Sequence, residues 1–195
     1  MNPPPLQAEH RCRVSVLEPE RLWSLRGEVL AMGDERGEIR IPLVTLRKIR
    51  LEFAPTRFQL GRFRCHLYDQ TGPCGTIQNE HFAGLATFED RSASYRALVL
   101  MLLQRTAAVN PSCRFEKGAA MWSWLLQTAF MLGMGLLLAV VLFFLWTAIG
   151  WLVVLKLLIL AFFVPTAIRW VVRNKPADFR VEAIPMELLP EVKPA

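Results

Sequence analysis

Fifty consecutive residues, Ala119–Ile168, contain a single charged side chain, Lys156. As one helix they would reach about 75 Å, more than twice the hydrocarbon core of a bilayer. Two spans joined by a tight turn fit instead, at about Met121–Leu145 and about Trp151–Val171, with Trp146–Gly150 as the turn. The 118 residues that precede this stretch are too few to cover so much apolar surface as a soluble core. Trp122, Trp124, Trp146, Trp151 and Trp170 fall where interfacial aromatic belts are expected. Arg114 and Lys117 precede the first span, Arg169, Arg173 and Lys175 close the second, and the turn is uncharged. The positive-inside rule therefore places both chain ends in the cytoplasm.

Within the spans, Lys156 lies five residues past Trp151 and can snorkel to the outer interface. Neither span offers an Asp, Glu or His as a relay partner, which argues against a transport pathway. Ala129 with Gly133 and Gly135 with Ala139 form two small-xxx-small pairs, open to use by the hairpin itself or by another helix. Residues 1–10 carry Pro3-Pro4-Pro5 and lack the apolar segment of a secretory signal, so a flexible cytoplasmic N-terminus is expected. Cys12, Cys65, Cys74 and Cys113 then face a reducing compartment and, with no CxxC pair, read as ordinary thiols with no metal.

Residues 11–118 change period. Candidate strands are Arg13–Leu17, Leu22–Met32, Gly37–Ile41, Arg47–Phe53, Arg62–Asp69, Gly75–Asn79 and Phe82–Phe88, separated by Gly, Pro and Asp turn signals. Ile49, Leu51 and Phe53 alternate with Lys48, Arg50 and Glu52, so each strand has a core face and a wet face in an antiparallel meander. From Ser92 to Val109 the spacing turns helical through Tyr95, Leu98, Val99, Leu102 and Thr106, and Asn110-Pro111 ends the helix. The fold class is thus α+β: a small antiparallel roll or barrel of about seven strands capped by one C-terminal helix, followed by an all-α hairpin at 119–172 and a Pro-containing tail at 173–195.

That order of elements resembles the pleckstrin-homology-like (PH-like) domains. Ile39 and Ile41, followed by Pro42-Leu43-Val44-Thr45-Leu46 and the Arg47–Phe53 strand, are similar to the I-P-L-x-x-I-x-x-V passage of bacterial members. The resemblance covers about 100 residues. It implies a domain that binds lipids, peptides or partner proteins, attached to helices in the bacterial cytoplasmic membrane, and it implies no chemistry and no cofactor.

The formal charge of +6 has two sources: residues 1–118 hold 17 basic and 13 acidic side chains, and Lys156 with Arg169 supply the remainder. Arg40, Lys48, Arg50, Arg62 and Arg64 sit on the wet faces of three strands taken as neighbours. A face of that kind can dock on an anionic leaflet or a phosphorylated head group; alternatively it is solvated and paired with Glu38 and Glu52. Interleaved acids and the absence of a recognition motif argue against nucleic acid. His10, His66 and His81 are scattered and no GxSxG or HExxH is present, so the chain reads as a non-enzyme, with a Cys–His pair, for instance Cys74 with His81, left open. In the tail, Phe179, Ile184, Pro185, Leu188 and Leu189 are apolar where a linker would be polar, and either pack on the chain's own domain or dock on another protein. The expected function is a membrane-anchored binding or assembly module for a protein partner, a second copy or anionic lipid. The alternative is a small accessory subunit of a membrane complex or transporter that makes its contacts through the hairpin.

Overall fold

The structure, a computed structural model, describes residues 8–56, 61–84, 87–148, 161, 164–165, 167–168 and 170–191. Most of the expected second span lies outside them, including Trp151, Lys156 and Arg169. The chain forms two compact units, Met1–Lys117 with Ala177–Ala195, and Gly118–Pro176. The tail drawn at 173–195 is therefore mostly part of the first unit and not a separate segment.

The first unit is mixed α and β. Strands β1 (Ala8–Cys12), β2 (Arg21–Arg26), β3 (Val29–Asp34) and β4 (Gly37–Pro42) form an antiparallel sheet in that order. Strands β5 (Lys48–Phe53), β6 (Phe63–Tyr68) and β7 (Pro73–Gln78) start a second sheet, and β8 (Glu80–Gly84) pairs with β9 (Thr87–Asp90). Helix α1 spans Ser92–Val109, followed by strand β10 (Arg114–Lys117). Strand β10 runs parallel to β5, and the short β11 (Ala177–Asp178) pairs antiparallel to its other edge, giving the order β11-β10-β5-β6-β7.

Several expectations are corrected by this arrangement. The strand expected at Arg13–Leu17 lies earlier, at Ala8–Cys12, because Ala8, His10 and Cys12 alternate inward against exposed Glu9 and Arg11. The Arg13 side chain instead folds residues 13–18 into a loop by donating to the carbonyls of Ser15, Val16 and Glu18. Consequently the expected flexible N-terminus is ordered at Ala8–His10. Leu22–Met32 is a hairpin and not one strand, with Arg26 opposite Val29 across a two-residue turn. Phe82–Phe88 likewise divides between β8 and β9. The meander is broken into separate sheets, and β10 and β11 extend one of them.

One core joins these elements: Trp23, Leu25, Leu30, Ile41, Leu43, Leu46, Ile49, Leu51, Leu67 and Ile77 meet Tyr95, Leu98, Val99, Leu102 and Leu103 of α1. Gly75 on β7 is required by this packing, since a Cβ there would stand 2.7 Å from the Trp23 ring that reaches over from β2. Helix α1 starts where the Asp90 carboxylate accepts from Ser92 N (3.0 Å) and from the Ser92 hydroxyl. It ends on Asn110, whose Nδ2 donates to the carbonyls of Leu43, Val44 and Leu46 at 2.7–3.2 Å and so fixes the link between the two sheets. Leu188 and Leu189 of the tail enter the same core, both buried. Arg96 holds that turn from outside by donating to Pro190 O at 3.0 Å.

In the second unit, helix α2 spans Met121–Ala148, three residues beyond the expected first span. Its stretch Met121–Val141 is long and apolar enough to cross a membrane, and none of it is buried in the protein. Residues 170–173 end a further helical stretch. The ends of the unit meet: Ala119 N donates to Asn174 O (3.1 Å), and Trp124 Nε1 donates to Val171 O (3.1 Å). Gly118, with φ of +81°, has no room for a Cβ, which would lie 2.6 Å from the Asn174 and Lys175 carbonyl oxygens.

Two predictions follow from this packing. Lys117 lies opposite Ala177 in the β10–β11 pair, so replacing residues 118–176 with an Asn-Gly turn should yield a water-soluble folded domain. In that protein Leu188→Ala or Leu189→Ala should cost about 2–5 kcal/mol in urea unfolding; a tail that is dispensable would leave the midpoint unmoved. The second concerns His10, whose Nε2–H donates to Gln78 O (2.7 Å) and whose Nδ1 accepts from the Ser94 hydroxyl (2.9 Å). Burial lowers its pKa from 6.5 to about 4. Between those pH values the unfolded chain binds a proton that the folded chain does not, so stability falls as pH drops through the window, by about 3 kcal/mol in all. Urea midpoints against pH should show this slope, and it should flatten in His10→Asn.

Candidate functional site

Alternation in β5, β6 and β10 places their polar side chains on the outer face of the five-stranded sheet. Register puts Lys48 opposite Tyr68, Arg50 opposite His66 and Glu52 opposite Arg64, with Glu116 of β10 beside Arg50. Glu116 Oε2 accepts from Arg50 Nη2 (2.7 Å) and Nε (3.1 Å) and lies 3.5 Å from Lys48 Nζ. The two cations also sit over the Tyr68 ring, Lys48 Nζ at 4.5 Å and Arg50 at 5.6 Å from its centroid. Farther along, His66 Nε2 donates to Glu52 (2.9 Å) and Nδ1 meets the Thr76 hydroxyl (3.0 Å). This face is an interlocked polar network.

The five basic residues expected to share one face are thereby separated. Arg40 lies on β4, in the other sheet, and binds Glu38 at 2.6 Å. Lys48 and Arg50 share one carboxylate, Glu116, a partner 66 residues away from Arg50. Arg62 precedes β6 and donates to Ala54 O (2.7 Å), with burial holding its guanidinium below the ordinary arginine value. Arg64 is half-buried opposite Glu52 with no carboxylate within 4 Å among the described residues. Pairing is therefore to Glu38 and Glu116; Glu52 goes to His66.

What remains available lies in two clefts on either side of β10. The first, about 800 Å³, is lined by Arg47, Lys48, Tyr68, Thr71, Ser112 and Arg114 among others. Arg47 and Arg114 are exposed and have no carboxylate within 4 Å among the described residues. Their backbones are joined, Arg114 N donating to Arg47 O at 2.9 Å. Asp69 on the same rim is turned onto its own loop: the Thr71 hydroxyl (2.7 Å) and the N–H groups of Thr71 and Gly72 hold its carboxyl below the usual range. The second cleft, about 1020 Å³, runs between Pro111–Phe115 and tail residues 178–183, and Arg114 lines it too. The first cleft sets Arg47, Lys48 and Arg114 against Asp69 and Glu116, and the second sets Arg114 and Arg180 against Asp178 and Glu182.

A carboxylate–imidazole–hydroxyl chain, Glu52–His66–Thr76, runs within the polar network of this sheet face. Both ring nitrogens of His10 are engaged, and His81 Nδ1 accepts from Arg13 N at 3.1 Å. Burial raises the Cys74 thiol and pushes Cys113, which lines the second cleft, up to about 11. No group of three potential metal ligands occurs among the described residues.

The other expected site residues also divide. Gly135 and Ala139 line an apolar groove shared with Val164, Ala167, Ile168 and Val171, whereas Ala129 and Gly133 are exposed outside it. In the tail, Leu188 and Leu189 are buried, Phe179 and Ile184 are half-buried against the core of their own unit, and Pro185 is half-buried. Docking of Leu188 and Leu189 on another protein is corrected on that ground. Sequence reasoning missed Arg47 and Glu116, and read Asn110 only as a helix end and Arg114 only as a residue flanking the first span; the alternation in Arg114-Phe115-Glu116-Lys117 was the available signal for β10.

No family model matches the chain, and no curated protein matches it. Among solved structures the chain is similar to the hSac2 domain from human phosphoinositide phosphatase Sac2, with 17% identity and a TM-score of 0.37, over 58% of this chain and 79% of that one. A likeness that loose carries no argument about function.

Proposed function

We propose that the chain is a two-span membrane protein whose cytoplasmic unit is a PH-like binding and assembly module. The observation that carries this reading is the out-and-back path of the chain. Strand β10 leads out at Lys117 and β11 returns at Ala177, paired directly opposite. Within the second unit Gly118 and Asn174 touch, and between them the 28-residue helix α2 extends about 42 Å. Two helices of opposite direction close such a path. The apolar surface of Met121–Val141, none of it buried in the protein, needs a cover, which a bilayer supplies. Four antiparallel strands, then three more, and, after the β8–β9 hairpin, a helix on the core are the features that support the PH-like assignment, with β10 and β11 as additions to it. Basic residues at both ends of the excursion orient both termini to the cytoplasm.

Binding in this reading uses the clefts beside β10, with Arg47 and Arg114 as free cations. The exposed Ala129/Gly133 pair favours a second reading, in which α2 contacts a helix of a larger complex.

Topology is decisive. The chain should resist alkaline extraction from host membranes, and cysteines placed at residues 34 and 186 should both be labelled only from the cytoplasmic side. Labelling of either from the outer side, or release at high pH, would overturn the two-span reading. In the Asn-Gly spliced domain, Arg47→Glu with Arg114→Glu should abolish binding to anionic vesicles while Arg40→Ala leaves it within about twofold; an equal loss in both would remove the clefts as the site.

A further inference from the structure

Strand β4 is an edge. It pairs with β3 on one side, and among the described residues no strand lies along its other side. Its main-chain polarity can be assigned from both ends. Asp34 faces Gly37 across a two-residue turn, and beyond the far end Leu43 N donates to Glu28 O at 2.9 Å. Alternation then gives Gly37, Ile39 and Ile41 to β3 and turns the N–H and C=O of Glu38 and Arg40 outward. The side chains there are Glu38 and Arg40, bound to each other at 2.6 Å in solvent, and Ile39, which is 57% exposed.

Glu38-Ile39-Arg40 is complementary to itself when reversed. We propose that β4 is a self-association edge, pairing antiparallel with β4 of a second copy about a two-fold axis at Ile39. In that register Glu38 lies opposite the partner's Arg40, and Arg40 opposite the partner's Glu38. Both are hydrogen-bonded pairs, so the outward groups form four main-chain hydrogen bonds. Each carboxylate gains a guanidinium across the junction as well as along its own strand. Ile39 meets its own copy in the non-hydrogen-bonded position, where side chains approach most closely, and both are covered. A slip by two residues in either direction sets Glu38 against Glu38 or Arg40 against Arg40, so charge selects one register. Pro42, whose ring has no N–H to offer, ends the pairing after Ile41. The occupant is a second copy of this chain because the pattern is palindromic in charge; an unrelated extended segment has no reason to match it.

The inference is independent of where the chain resides and concerns the first unit alone. The test is disulfide trapping of the full chain in host membranes, in a Cys74→Ser background, with alkaline extraction scored separately as the readout of membrane insertion. Ile39→Cys places two thiols at Cα atoms about 4.5 Å apart, within disulfide reach. It should form at least about fivefold more homodimer than Val44→Cys, a control of similar exposure, 63%. Adding Glu38→Arg or Arg40→Glu should lower the Ile39→Cys yield several-fold, and the charge-swapped pair Glu38→Arg with Arg40→Glu should restore it. Glu38→Cys and Arg40→Cys should crosslink to each other when co-expressed and not to themselves. Trapping no better than Val44→Cys, failure of the swap to recover, or capture of Ile39→Cys by a protein of different mass would each overturn self-pairing.

Discussion

The structure depends on how strand β10 is held. It enters the sheet after α1, runs parallel to β5 and is fixed by Glu116, which draws Arg50 and Lys48 onto one carboxylate. Arg50 is 13% exposed and Glu116 24%, a setting in which a charge-assisted pair is worth more than at a free surface and is more costly to break by half. With β10 in place, Phe115 has Phe179 to pack against at 6.0 Å, Phe179 N donates to Phe115 O at 2.9 Å, and β11 has an edge to join. The tail follows this guide into the core, where Leu188 and Leu189 close the side left open by α1 and β5. Without a firmly seated β10 the C-terminal segment would be the loose linker that its prolines indicate.

Legibility in the sequence followed the range of the determining interactions. Helix α1 could be read to its limits because five inward residues repeat at helical spacing and the terminating Asn-Pro is local. The alternation of β5 and β6 was equally plain. By contrast β1 relies on Ala8 and His10 as inward residues, and neither type marks a core strand without the neighbours it meets in space. Gly27-Glu28 is a two-residue turn inside a run that otherwise reads as continuous. The tail was ambiguous for the same reason, since what buries Leu188 lies far back in the chain. On the basic faces the pairing of Arg40 with Glu38 was legible because it is local; that of Lys48 and Arg50 was not, because opposing charges are found by register and Glu116 is nowhere near Arg50 along the sequence.

Charge in this protein is consequently more local than its net value implies. Cations that looked collective are held individually, Arg40 by Glu38, Lys48 and Arg50 by Glu116, and Arg62 by a carbonyl. Two arginines beside β10 are left to act on solvent or a ligand. A net charge says how a molecule is drawn to a surface from a distance; which side chains then touch it is decided by the pairs already made inside.

The order in which the core is assembled has a temporal side. Leu188 and Leu189 belong to the same core as Trp23 and Leu30, but they are translated after the whole apolar excursion. At synthesis rates of about 5–20 residues per second, roughly 4–14 s pass between the emergence of Lys117 and that of Leu188. During that interval the N-terminal part carries an unfilled hydrophobic gap beside the ribosome, while the excursion is already exposed. Maturation of the globular unit is therefore gated by completion of the apolar stretch, and a nascent chain stalled there would present chaperones and proteases with an unfinished core.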